Sequence, residues 1–315
     1  LLAVLTLPAQ AQFEGPSLGP GPWVSQSFEQ DYVKASIIAR GLDHPFGLAF
    51  LPGSVTATNP LGDLLISERT GKLRLLRVIR KFEAQGVPVG QAFWKQALDI
   101  MNVELQTPQS QIAKIPKEGP LVITANHPHG LVDGMILGEL IGRVRTDYKI
   151  LTRTLLTGIA EIENFMIPVP FVHDSQALEK NLEMRKSAMS HLKNGGVVVL
   201  FPSGVVAASK TMFGPAIEAE WNPFTSKMIQ RSNARVLPIF FPGANSRIYQ
   251  IANQISATLR QGLLLHEVVH AMNKPQAPVV GDVIERDTIK NWASNPRGFV
   301  NWLRAETLGL ADKKS

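Results

Sequence analysis

The chain has 315 residues, of which 44% are hydrophobic and 18% charged, with 32 basic against 26 acidic side chains and a formal net charge of +6. That length allows about two domains with a substantial core, and the basic excess suits anionic partners. There is no cysteine, which excludes disulfides, thiolate metal sites and cysteine nucleophiles. No nucleic-acid-binding motif or dense Lys/Arg run is present, which ranks nucleic acid last among partners, and no apolar run reaches the ~18 residues of a membrane-spanning helix.

Residues 1–12, LLAVLTLPAQAQ, read as the remnant of a secretory signal, an apolar core followed by the small-residue cleavage site Ala9-Gln10-Ala11. Residues 13–34 read as a linker, rich in Gly and Pro from Gly15 to Pro22. Short strands are then expected at Ala35–Ala39, Phe46–Leu51, Asp63–Ser67 and Lys72–Leu76, separated by turns. Two stretches here, GLDHPFGLAFLPG (41–53) and GDLLISERTGKLRLLR (62–77), resemble the opening blade of sugar dehydrogenases that use pyrroloquinoline quinone. One blade cannot close a propeller, and no cofactor-binding or metal-binding blade follows. Residues 35–78 therefore read as an orphan β-propeller-blade-like fragment to which no dehydrogenase activity is transferred.

Past residue 79 the pattern changes. Ala92 to Met101 carries apolar residues at helical spacing, including Phe93 and Trp94. It is either a helix packed on the following domain or one lying in a membrane interface. The next stretch, LVITANHPHGLVDG (121–134), organises the chain. The run Leu121–Ala125 is a buried-strand candidate that stops on Asn126-His127-Pro128-His129-Gly130, and Asp133 opens the apolar segment Met135–Ile141 as a helix-start acid would. Two histidines and an aspartate thus gather in a loop at the C-terminal end of a strand, the edge where open α/β sheets build sites. An imidazole with its usual pKa of about 6.5 removes a proton from a hydroxyl at neutral pH, and a carboxylate fixes its tautomer. With no serine or cysteine beside the histidines, the attacking group is a substrate hydroxyl.

The segment Pro120 to Asp133 resembles the first signature block of the glycerolipid acyltransferases, lysophosphatidic acid acyltransferases and their relatives. Their usual pattern is Asn-His, four residues, then Asp; here five residues separate His127 from Asp133, a His-x5-Asp variant. His129, with three residues between it and Asp133, is the competing base. His127 is favoured because it directly follows Asn126, as in the family.

Further on, Arg143, Arg145, Lys149 and Arg153 form a basic edge around a strand at 148–152, similar to the family's second block. There the resemblance implies that Arg153 holds the acceptor's phosphate. A helix is expected over Leu178–Leu192, with Leu178, Leu182, Met189 and Leu192 on one side and Asn194-Gly195-Gly196 as its stop. The strand Val197–Phe201 runs into Pro202-Ser203-Gly204, which resembles the third block, Phe-Pro-Glu-Gly, with Ser203 in place of the acid and Val205-Val206 in place of Thr-Arg. Lys210 is a candidate replacement for the lost positive charge. Arg235–Gly243 is similar to the fourth block, a strand with an internal proline. Covering helices are expected at Trp221–Gln230 and Ile248–Leu265, and a terminal amphipathic helix within 287–315. Strands alternating with helices give an α/β fold with a mostly parallel sheet covered by helices.

One motif competes. His266-Glu267-Val268-Val269-His270 is a His-Glu-x-x-His sequence, whose histidines share a helix face and could bind zinc with Glu267 as base. A third ligand is needed, and Glu285 and Glu306 are the downstream candidates.

The resemblance, over about 90–305 within an acyltransferase domain at 79–315, implies a phospholipid-biosynthetic enzyme. His127 would deprotonate a lysolipid hydroxyl that attacks the thioester of acyl-CoA or acyl-carrier protein, with Asp133 orienting it. Asn126, His129, Gly130, Arg153, Phe201, Pro202, Ser203 and Gly204 would hold substrate, and N–H groups near Gly130 or Gly204 are oxyanion-donor candidates. No metal or organic cofactor is implied. The expected place is peripheral on the cytoplasmic face of the inner membrane, which conflicts with the signal-like remnant. A zinc metallopeptidase and a non-catalytic lipid-binding protein are the competing classes.

Overall fold

The computed structural model describes residues 23–25, 33–35, 45–50, 64–68, 81–153, 159–170 and 176–313. The signal-like residues 1–12, most of the 13–34 linker and the expected strands at 36–39 and 72–76 lie outside these. Near the amino terminus, β1 (Trp23–Ser25) pairs antiparallel with β2 (Val33–Ala35), and β3 (Pro45–Phe50) with β4 (Leu64–Glu68). The latter pair matches the second and third strands expected of the blade-like fragment.

The main sheet is built from the β-branched runs. Its strands are β5 (Leu121–Ala125), β6 (Tyr148–Arg153), β7 (Met166–Val169), β8 (Val197–Leu200), and, after a two-stranded ribbon of β9 (Ala208–Ser209) and β10 (Ala216–Ile217), β11 (Arg235–Phe240) and β12 (Val279–Val280). Their order is β12-β11-β5-β8-β6-β7, parallel throughout except for β12 at one edge. In register, Leu121 lies opposite both Arg235 and Val197, so β5, β8 and β11 start level.

The central strands read as continuous apolar runs because both faces are covered. Alternate residues enter opposite cores. Leu121, Ile123, Val197, Val199, Leu237 and Ile239 pack with helices α1 (Ala92–Ile100) and, after the short α2 (Gln109–Ile112), α3 (Leu131–Gly142). Val122, Val198, Leu200 and Val236 face α4 (Ala177–Lys193), α5 (Pro223–Arg231) and a C-terminal helix, Pro296–Gly309. Each fully buried Val, Leu or Ile contributes about 1.5–3 kcal/mol.

Three expectations are settled or refined here. The aromatic face of α1 is core, not a membrane anchor: Trp94 is 2% exposed. It nests on Gly138 of α3, where a Cβ would sit 2.7 Å from Trp94 Cδ2. The expected helix over Ile248–Leu265 is three helices, α6 (Arg247–Ile255), α7 (Ala257–Gly262) and α8 (Leu264–Ala271). Ser256, with extended backbone at φ −160°, interrupts it. The tail forms α9 (Arg286–Lys290), α10 (Pro296–Gly309) and a 3-10 turn, Leu310–Lys313. No helix among the described residues is long and apolar enough to cross a membrane.

At the N-terminal end of the sheet, buried Arg145 acts as a staple. It donates to both Asp147 oxygens at 2.6 Å and to the carbonyls of Gly119 (2.9 Å), Gly195 (2.8 Å) and Pro116 (3.2 Å). The guanidinium's hydrogen bonds hold the Asp147 carboxyl below its usual range, against partial desolvation. Arg143 pairs with Glu139 at 3.1 Å and Lys149 donates to the Asn164 carbonyl at 3.1 Å. Of the expected basic edge, Arg153 alone stands at the C-terminal end of its strand.

Candidate active site

Beyond Ala125 the chain leaves the sheet, and Asn126 secures the exit. Its buried side chain donates to the Phe241 carbonyl (2.8 Å) and accepts from the Phe241 N–H (2.7 Å), clipping the end of β5 to the end of β11. With both amide ends committed to backbone, Asn126 serves the fold as a clip between the two strands.

The loop turns at Gly130, the N-cap of α3, with φ +74° and ψ −123°. That conformation is essentially restricted to glycine, and a Cβ there would also meet Val206 at 3.3 Å and Leu264 at 3.5 Å. Asp133 falls at the third helical position, not at the cap. Its wholly buried carboxylate is the hub of the loop. Oδ2 accepts from the N–H groups of His129 (2.8 Å) and Gly130 (3.1 Å) and lies 3.1 Å from His127 Nδ1, while Oδ1 lies 3.0 Å from His129 Nδ1. Burial alone would push this carboxyl up, but the hydrogen bonds and charges of the two imidazoles overcome it and hold the pKa below its usual value. An imidazole that donates Nδ1–H to a carboxylate leaves Nε2 as the basic lone pair.

Both histidines therefore reach the same acid, and distance does not separate them. Their surroundings do. The His127 ring is 17% exposed and stacks on Phe201, centroids 3.9 Å apart at 22°. The His129 ring is 11% exposed and backs onto Gly243. His127 is further fixed through its backbone: its carbonyl accepts from Ala207 N–H (2.7 Å) and its N–H donates to Glu218 Oε2 (3.0 Å). Glu218 is buried, accepts Trp221 Nε1–H on its other oxygen at 3.0 Å, and has its carbonyl held by Arg304. Sequence reasoning missed Glu218. It sits 91 residues from His127 in sequence, outside every motif, and no local signal marks it.

The third block lies beside this loop. Phe201 stacks on His127, so its contact is with the imidazole. Pro202 is buried, and its carbonyl accepts from Asn222 N–H (2.9 Å). Ser203 donates its hydroxyl to the Val205 carbonyl (2.9 Å), within its own loop. Gly204 N–H closes a turn on the Phe201 carbonyl (2.9 Å), and Arg153 Nη2 donates to the Gly204 carbonyl (3.1 Å). The Gly130 and Gly204 N–H groups themselves are engaged in the loops' own bonds, which leaves their neighbours as the oxyanion-donor candidates of these loops. Lys210 lies exposed beyond the block, on the turn between β9 and β10.

The His-Glu-x-x-His motif does fall on a helix, α8, but Glu267 is buried and turned inward. It accepts from Ser246 N–H (2.7 Å) and Ser246 O–H (2.6 Å), fastening the start of α6. His270 stands against the Lys274 ammonium, with Nε2 to Nζ 3.0 Å. Desolvation, then that charge, hold the imidazole below its usual pKa. Glu285 leans towards Arg235, 3.7 Å away, and Glu306 is exposed on α10. Among the described residues no three His, Cys, Asp or Glu side chains gather as a metal site.

Residues 105–275, more than half of the chain, match the family model described as acyltransferase. A lyso-glycine lipid O-acyltransferase of Bacteroides thetaiotaomicron is 26% identical, over 54% of this chain and 60% of that protein. A second protein of that name, from Phocaeicola vulgatus, is 23% identical over 52% of this chain and 57% of its own length. The chain thus spans less than two thirds of the length of the curated relatives it matches. Among solved structures, a 1-acyl-sn-glycerophosphate acyltransferase from Thermotoga maritima is 15% identical with a TM-score of 0.47, over 76% of this chain and 87% of that one.

Proposed function

The chain belongs to the acyltransferase family, and from that premise we propose that it moves a fatty acyl group from a thioester carrier to the hydroxyl of a lysolipid. The observation that carries the reading is the buried Asp133 hydrogen-bonded to His127 Nδ1 at the C-terminal edge of the sheet. His127 Nε2 takes the acceptor hydroxyl's proton as that oxygen attacks the thioester carbonyl, and Asp133 stabilises the imidazolium. The proton then passes to the departing thiolate. Positioned acid–base catalysis of this kind contributes roughly 10²–10⁴-fold in rate.

Arg153, at the mouth of the site, attracts the acceptor's anionic head. The relatives' names point to a glycine-headed lysolipid, and the loss of the third block's acid and arginine at Ser203 and Val206 favours it over lysophosphatidic acid. The donor is acyl-CoA or acyl-carrier protein, which sets the reaction at the cytoplasmic face of a membrane. Residues 79–315 form the catalytic unit.

The test is acylation of a panel containing lyso-glycine lipid, lysophosphatidic acid and lysophosphatidylglycerol, with acyl-CoA and acyl-carrier protein as alternative donors. It is run with and without a chelator, and products are identified by mass. Chelator-resistant, thioester-dependent transfer is expected, strongest for the glycine-headed acceptor. Absence of transfer to every acceptor, or its loss on chelation, would overturn the reading.

A further inference from the structure

Helix α6 leaves two of its isoleucines outside the core. It turns Tyr249, Gln250 and Ala252 into the protein, and leaves Ile248 and Ile255 to solvent, the latter 66% exposed. Seven residues are close to two helical turns, so the two isoleucines share a face. A surface helix ordinarily turns such side chains towards the core. Two of its glutamines hold the β9–β10 ribbon: Gln250 Oε1 accepts from Ser209 N–H (2.7 Å), and Gln254 Nε2 donates to the Ser209 carbonyl (2.6 Å).

The ribbon's tip is equally apolar and equally well held. Met212 is exposed and Phe213 is 77% exposed, with Ile217 open on the returning strand. The tip is fixed by Gly214 N–H donating to Thr211 Oγ1 (2.9 Å) and by Arg247 Nη1 donating to the Gly214 carbonyl (2.7 Å). A preformed turn that presents methionine and phenylalanine to water beside two exposed isoleucines calls for a covering partner. Two cations flank it: Lys210 at the base of the tip and Arg247 at the start of α6, both exposed. The same loop runs back from the ribbon to Ala207, whose N–H holds the His127 carbonyl.

We propose that this lip, Met212-Phe213 with Ile248 and Ile255, inserts into the interfacial layer of an anionic lipid bilayer and brings the His127 loop to the membrane surface. Apolar side chains entering the acyl boundary beneath cations that meet the headgroups are the chemistry of an interfacial anchor. The inference rests on the lipid-acceptor reading above and adds the surface through which the acceptor is reached.

The test uses the full chain, mixed phosphatidylglycerol–phosphatidylcholine vesicles and pure phosphatidylcholine vesicles. The paired substitutions Met212→Ser with Phe213→Ser, and separately Ile248→Ser with Ile255→Ser, are checked for unchanged melting. Each should weaken partitioning onto mixed vesicles on the order of tenfold. Lys210→Gln should weaken it about fivefold, on anionic vesicles alone. For the two paired variants, turnover of a bilayer-embedded lysolipid should fall in step with binding, while a monomeric short-chain lysolipid in free solution is acylated at the wild-type rate. Unchanged vesicle binding by both paired variants would overturn the proposal and assign the lip to a protein partner. Lip-dependent vesicle binding by a protein that acylates neither acceptor would instead overturn the acyltransfer reading and leave the lip standing.

Discussion

Glu218→Gln tests how the base is held. The buried carboxylate accepts two hydrogen bonds, from His127 N–H and Trp221 Nε1–H, each 3.0 Å long. Hydrogen bonds to a charged acceptor contribute about 1.5–3 kcal/mol each. Glutamine keeps the shape but offers one acceptor oxygen; its amide nitrogen must face the other N–H. If Trp221 retains the oxygen, the His127 loop loses about 2 kcal/mol of positioning, equivalent to roughly a 30-fold fall in the competent arrangement. The expected result in steady-state acylation is a kcat reduced about 10- to 30-fold, with both KM values within about twofold of wild type. A thermal melt run in parallel should fall by a few degrees. An unchanged kcat alongside a lowered melting temperature would refute the argument, because Glu218 would then be structural only. So would a KM change with kcat intact.

Three further outcomes follow from the same geometry. Gly130→Ala forces a side chain onto a glycine-only conformation against Val206 and Leu264. It should cost about 1–3 kcal/mol in denaturant unfolding; a neutral effect would contradict the turn described. Glu267→Ala should destabilise by roughly 2–4 kcal/mol, since it strands the Ser246 N–H and O–H. Metal content by mass spectrometry should be unchanged, whereas zinc lost on substitution would restore the metallopeptidase reading. For pH, the Asp133 carboxyl is held below its usual 3.8, so the native state binds its proton more weakly than the unfolded chain. The stability it contributes is complete above the unfolded value and is lost as pH falls through the lower native one. Urea midpoints of the wild type should therefore fall below about pH 4, and those of Asp133→Asn should fall less steeply. Equal slopes would contradict the lowered pKa; Asp147, shifted in the same direction, keeps the variant's slope from vanishing.

The strands were legible because buried parallel strands carry dense β-branched runs: Leu121–Ala125 was bounded in the sequence as it stands in the sheet, and Arg235–Phe240 lies within the block read there as a strand. Two-residue β12 was invisible, since Val279–Val280 has no period to read. The helix at 177–193 was found but its packing face was turned. The stripe that packs runs through Met184, Ala188 and Leu192, leaving Leu178 and Leu182 exposed. Small Ala188 sets that face, and a small residue carries little hydrophobic signal. At the site, the grouping of His127, His129 and Asp133 was readable because it is local. The sharing of one carboxylate by two imidazoles was not, because sequence spacing says nothing of which oxygen each ring meets. The clip made by Asn126 was hidden for a similar reason: its partner, Phe241, is 115 residues away.

The central claim is that His127, and not His129, is the base. The direct measurement is the single-turnover rate of acyl transfer from a thioester donor to a saturating lysolipid, for His127→Ala and His129→Ala in parallel. A loss of about 10²-fold or more is expected for His127→Ala, with His129→Ala, which removes a partner of Asp133 rather than the base, falling by about tenfold at most. The reverse order, or transfer that survives the loss of His127, would contradict it.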